Sequence, residues 1–229
     1  MQRIFSFRKI DEVDVNLLSV VVIFLGSFFL LRGDHSLIPK KEFLGELAGF
    51  INLVAYFPYF VSIFRGETKP NFVTWLVWTF LELLIGGSYI LGGADNTKWL
   101  PIASFFGMFL TVILSIFYGK RKWEFVDKIC LIGSLIGINI WVVSGNPGFA
   151  LLIFLSVDLL AAIPTLIKSK KHPQSEDLFA WILTLLSGFI NILAVDKWIF
   201  SIVLLPLYNL MVYLMVVSVL IFSRVVKKV

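Results

Sequence analysis

Apolar runs set the terms for this chain. Between positions 15 and 222 they recur in stretches of about 17 to 26 residues, each long enough to cross roughly 30 Å of hydrocarbon as a helix. The 229 residues are 59% apolar and 15% charged, against about 45–50% and about 25% for a soluble domain. The surplus cannot sit in one buried core, so the fold class is an all-α polytopic membrane protein and its first partner is a lipid bilayer. The net charge of +5 is then a matter of sidedness, and it is no sign of nucleic-acid binding. Cys130 is the single cysteine, which excludes an internal disulfide. His35 and His172 fall in polar connections far apart in sequence.

The runs predict eight spans, near 15–31, 44–64, 72–91, 99–118, 126–143, 149–167, 178–195 and 199–222. The opening "MQRIFSFRKIDEVDVN" mixes acids with bases, and no small-residue cleavage pattern follows the first run. That favours a retained span over a removed signal peptide. The fifth and sixth spans share one apolar stretch, which "SGNPG" at 144–148 cuts, because Gly, Asn and Pro favour a tight turn there. With eight spans, fifteen Lys and Arg residues fall on the side of the N-terminus and five on the other. The positive-inside rule then puts both termini in the cytoplasm, as in an integral protein of a bacterial-type plasma membrane.

A shift of 106 residues superimposes two distant stretches. Pro58 meets Pro164, Trp75 meets Trp181, Leu53 meets Leu159, Ala55 meets Ala161, Arg65 meets Lys171 and Asn52 meets Asp158. Apolar matches are cheap in such a chain. Two prolines and two tryptophans at the same spacing, each proline preceded by a polar residue at the same distance, are not. Internal duplication of a three-span unit accounts for them. Its organisation is an extra helix and loop (1–41), a first three-helix repeat (42–120), a linker helix (121–147) and a second repeat (148–229). The linker restores the direction of entry, so the copies are parallel repeats about an axis along the membrane normal, a plan in which solute sites lie near the midplane.

A three-plus-one-plus-three plan resembles the SWEET and PQ-loop transporter superfamily. The likeness extends to a proline on the cytoplasmic half of each repeat's first helix, a basic loop, and a tryptophan early in the next helix. It covers about residues 42 to 224. The family's Pro-Gln pair is replaced by Pro58-Tyr59 and Pro164-Thr165, and the first span is extra. The resemblance implies alternating access between repeats, hinges at Pro58 and Pro164, tryptophans that stack on a sugar, and a solute-facing asparagine in a repeat's last helix, which points to Asn209. It also allows a non-transporting receptor or sorting protein, since KDEL receptors share the architecture.

Asp158 is the sharpest single residue. An ionised carboxylate at the centre of a span costs roughly 2.5–3.5 kcal/mol on insertion scales, and no basic residue lies within a hydrophobic run to neutralise it. It must face a wet cavity, accept hydrogen bonds or hold a proton. Its mate Asn52 offers an amide, and the two would face each other across the pseudo-twofold axis. Glu82 meets the same energetic objection, and its counterpart is Gly188. Asp158 and Glu82 are therefore the candidates for proton coupling or for holding an ammonium group. Trp75 and Trp181 lie one turn inside the cytoplasmic end, where an interfacial belt also explains them; Trp78 is one turn deeper. Asn139 and Asn191 suit interhelical hydrogen bonds, and Gly45/Gly49 and Gly133/Gly137 have the spacing of close helix contacts.

No nucleophile with a nearby base, metal-ligand cluster or phosphate-cradling glycine loop can be read, which argues against an enzyme and against a cofactor. The expected function is a carrier for a small polar solute, sugar-like in kind, with Asn52, Trp75, Trp78, Asp158, Trp181 and Asn209 at the site. The alternatives are proton-coupled carriage of an amino acid or cationic metabolite, and a receptor on the same fold. A homo-oligomer is compatible with either.

Overall fold

The computed structural model describes residues 40–66 and 68–226. The expected span at 15–31, with Arg3, Arg8, Lys9, Arg32, His35, Lys227 and Lys228, lies outside them. Among the described residues the chain is helical, with no named strand. The helices are α1 (Lys41–Ala55), α2 (Phe57–Phe64), α3 (Phe72–Leu91), α4 (Trp99–Tyr118), α5 (Phe125–Ser144), α6 (Pro147–Lys171), α7 (Leu178–Leu193) and α8 (Phe200–Val226). α1 and α2 form one interrupted rod, so seven of the expected rods fall in this region. Six are long and apolar enough to cross a membrane. The seventh, α7, has 16 residues and spans only about 24 Å at 1.5 Å per residue.

The break between α1 and α2 falls at Tyr56. Pro58 has no N–H to offer the Val54 carbonyl, and its ring crowds that carbonyl. The chain answers with a tighter turn, Tyr56 N–H donating to the Leu53 oxygen at 3.2 Å, before Phe60 N–H resumes the ladder on Tyr56 at 3.0 Å. The matching proline behaves differently: α6 runs unbroken through position 164. The two candidate hinges are thus in different states, one broken and one continuous.

The turns follow from their residues. In "SGNPG", Gly145 adopts φ +61°, which only a residue without Cβ takes up cheaply, and it closes α5. Asn146 Oδ1 then accepts from Gly148 N–H at 2.9 Å, capping α6 with Pro147 at its first position. At the other end of the bundle, residues 70–72 run beside Lys120. Lys120 N–H donates to the Pro70 oxygen at 2.9 Å and Phe72 N–H to the Lys120 oxygen at 2.8 Å. Asn71 Nδ2 reaches the Lys122 carbonyl at 2.6 Å. This end carries Arg65, Lys69, Lys120, Arg121, Lys122, Lys128, Lys170, Lys171 and Arg224, and is called the basic end below.

Close approach of backbones accounts for the glycine spacings. Gly45 lies against the Asn96 carbonyl and Gly49 against Trp99, while Tyr56 of the break lies over Gly107. α1 and α4 therefore run side by side in the same direction. Gly133 meets Val157 and Gly137 meets Phe154, so α5 and α6 are antiparallel neighbours. In lipid there is no hydrophobic drive between helices, and such contacts hold by van der Waals fit.

The packing has an internal correspondence. α4 lies against both α1 and α3, as α8 lies against both α6 and α7. α1 packs on α7, as α6 packs on α3. Exchanging α1, α3 and α4 for α6, α7 and α8 leaves this scheme unchanged. α5 stands apart from it, packed on α6 and α3.

Candidate functional site

Helical periodicity aims the polar residues inward. Asn52 shares a stripe with Gly45, Ala48, Gly49 and Ala55, all buried. Glu82 shares one with Thr79, Ile85, Gly86 and Tyr89, also buried. Asp158, half-buried itself, sits between buried Phe154 and Leu155 one turn earlier and buried Ala161 one turn later. Lipid is left to residues such as Phe106, Ile132, Leu160 and Leu214, each more than half exposed.

The same residues share a depth. Asn52 stands at the middle of Lys41–Phe64, Glu82 at the middle of Phe72–Leu91, and Asp158 next to the middle of Pro147–Lys171. Three rods thus bring a polar group to the level where burial in hydrocarbon costs most.

Two of these groups, Asn52 and Asp158, find a hydroxyl on the neighbouring rod. Asn52 Nδ2 donates to Ser104 Oγ of α4 at 2.7 Å, both residues buried. Tyr208 of α8 donates its hydroxyl to Asp158 Oδ2 at 2.7 Å. Asn52 and Asp158 correspond under the 106-residue shift, and so do their partners' helices. The two halves therefore make the same kind of tie between first and third helix, neutral in one and built on a carboxyl in the other. Tyr56 and Tyr213 lie beside Ser104, and Glu82 lies within electrostatic reach of Asp158, Tyr208 and Tyr213. No Lys, Arg or His among the described residues bears on Glu82 or Asp158. With no basic side chain to offset them, two carboxyls in an interior of low dielectric rely on hydrogen bonds, water or a bound proton.

Asn209 is half-buried and makes no hydrogen bond to this group among the described residues. On α8 it projects between Tyr208 and Tyr213, on the face that also carries buried Leu205 and Val216. Trp78 lies one turn from Glu82 toward the basic end. Its indole nitrogen is buried against Cys130 without a hydrogen-bond partner. Trp75 lies one turn further, half-buried, with its ring 5.8 Å from Trp78 and its N–H donating to the Tyr59 hydroxyl at 3.2 Å. Trp181, at the corresponding place, donates to Glu176 Oε2 at 3.3 Å instead. The tryptophans thus flank the cluster on the basic side, each bound to a local partner. Gly188, the counterpart of Glu82, leaves room that Tyr213 fills.

Of the remaining asparagines, Asn139 is exposed and bonds back to the Leu135 carbonyl at 2.8 Å. Asn191 is fully buried on α7 with neither amide atom partnered, so it is no interhelical tie. Sequence reasoning missed Tyr56, Ser104, Tyr208 and Tyr213. A signal existed for the tyrosines: each lies well inside a span, whereas a belt tyrosine lies at its end. Comparison with known proteins finds no family model, no curated protein and no solved structure that matches this chain.

Proposed function

We propose that the chain is a membrane carrier for a small polar solute, working by alternating access between two parallel three-helix repeats, α1–α4 and α6–α8, joined by α5. In this reading residues 15–31 add an eighth span, the basic end is cytoplasmic with both termini, and the membrane is a bacterial-type plasma membrane. The observation that carries it is the polar cluster of Asn52, Ser104, Glu82, Asp158 and Tyr208 at mid-depth, drawn from both halves. A purely structural bundle has no reason to meet the cost of two carboxyls there. The unchanged packing under exchange of the halves supports duplication. The resemblance to SWEET and PQ-loop transporters is consistent with it.

Hydroxyls, amides and flanking tryptophans suit a sugar-like solute. The absence of a basic partner for Glu82 and Asp158, among the described residues, favours a second reading, a solute carrying an ammonium group or moved together with a proton. Thermal-shift screening of the purified protein against sugars, amino acids and amines separates these, since a ligand of the native state raises its stability by mass action. Flux of the stabilising compound into proteoliposomes completes the test. A ligand that binds without flux would instead favour a receptor on the same fold. If no compound stabilises the protein and none is taken up, the carrier reading fails.

A further inference from the structure

Pro206 lies inside α8 and has no N–H, so the carbonyl of Ile202, four residues earlier, loses its helical donor. A buried carbonyl without a donor is costly. Here the donor comes from the other half. Tyr89, at the last turn of α3, gives its hydroxyl hydrogen to the Ile202 oxygen at 2.7 Å. The same hydroxyl lies 2.6 Å from Thr97 Oγ1, just before α4. A hydroxyl has one hydrogen, so Thr97 is the donor to Tyr89, and the order is Thr97 to Tyr89 to Ile202. Tyr89 and Thr97 are completely buried, and Ile202 nearly so. This chain crosses from α3 and α4 to α8 at the end opposite the basic loops. Beside it, Lys41 Nζ donates to the Val195 carbonyl at 2.7 Å, tying the start of α1 to the end of α7.

We infer that Tyr89, Thr97 and the Ile202 carbonyl freed by Pro206 form a latch that holds the two halves together at the non-basic end. The inference rests on the carrier reading for its role, namely closure of the outward-facing entrance to the Glu82–Asp158 cluster. Opening that entrance requires α3 and α8 to part, and the latch is the hydrogen bond that parts with them. A proline at 206 makes the closure conditional. With an N–H at that position, the Ile202 carbonyl would be satisfied within α8 whether the halves met or not, and closing would gain nothing from Tyr89.

The test reads access and needs no substrate. Leu205→Cys, in a Cys130→Ser background, places a thiol next to the latch at a position that is 1% exposed. Its rate of reaction with a membrane-impermeant methanethiosulfonate reagent is measured in proteoliposomes. Tyr89→Phe keeps the ring and removes the donor, and is expected to raise the rate about tenfold. Pro206→Ala restores the helical N–H and is expected to raise it similarly. Tyr89→Phe added to Pro206→Ala then changes the rate less than twofold, because both act on one bond. Rates unchanged by Tyr89→Phe in protein that remains monodisperse overturn the latch, and so does full multiplicativity of the two substitutions. Failure of the carrier reading shows elsewhere, as absence of ligand stabilisation and of flux, and leaves these rates standing.

Discussion

The paired ties at mid-depth lend themselves to a double-mutant cycle. Tyr208→Phe removes only the hydroxyl that donates to Asp158 Oδ2 at 2.7 Å, and Asp158→Asn keeps the shape while removing the charge. A hydrogen bond to a charged group is worth about 1.5–3 kcal/mol, a neutral one about 0.5–1.5 kcal/mol. Interhelical bonds measured in a membrane average about 0.6 kcal/mol, because the unfolded state in lipid also finds partners. The cycle of Asn52→Ala with Ser104→Ala is neutral throughout, and is expected to give a coupling near that average of about 0.6 kcal/mol. The Asp158–Tyr208 cycle has a charge-assisted member whenever Asp158 is ionised. Its coupling is expected to reach about 1.5 kcal/mol or more in alkaline buffer. It should fall toward the neutral value in acid, where the carboxyl holds its proton and the two cycles become alike. Reversible unfolding in mixed micelles, run for both cycles across pH, measures this. A coupling below about 0.3 kcal/mol at every pH, within ordinary additivity error, would refute the proposal that the contact matters energetically. A pH-independent coupling would refute the charge-assisted account.

Three other expectations follow from the same geometry. If a proton accompanies the solute through Asp158, Asp158→Asn removes the pH dependence of uptake into proteoliposomes, whereas a pH profile like that of the unmodified protein excludes coupling through this residue. Gly137→Leu drives a side chain into Phe154 at the α5–α6 contact, where overpacking costs about 1–3 kcal/mol, and a lowered melting temperature in detergent checks it. Asn191→Leu is expected to stabilise the protein by about 1 kcal/mol, since it removes two buried polar atoms that have no partner; a lower melting temperature would mean that the amide is satisfied by something the helices themselves do not supply.

The rods were legible because hydrocarbon demands length and apolarity, and both are written plainly in the sequence. The expected ends of 72–91 and 99–118 coincide with α3 and α4, and the other five spans that fall in the described residues end within a few residues of their helices. The inward aim of Asp158 followed from energetics alone: no partner in its own span could carry a carboxylate, so another helix had to. Which helix was not legible. Tyr208 and Ser104 reach the cluster through the packing of third helices against first, and spacing within one rod does not encode that contact. The matched prolines promised equal bends, yet the outcomes differ. Tyr56 fits over Gly107 at the break, and α6 continues through position 164 without interruption. Pro206 has no mate under the 106-residue shift, where Leu100 stands. Its consequence lies on another helix, at the Tyr89 hydroxyl, where no reading of α8 alone would find it.

The central claim is that water and a polar solute reach the middle of the bundle between its halves. Thiol accessibility tests it without knowledge of the substrate. In a Cys130→Ser background, Asp158→Cys is expected to react with a charged, membrane-impermeant methanethiosulfonate reagent presented to one side or the other. Leu160→Cys, on the lipid-facing side of the same helix and 52% exposed, is expected to stay unreactive. Equal inertness of the two thiols from both sides of the membrane would contradict the account.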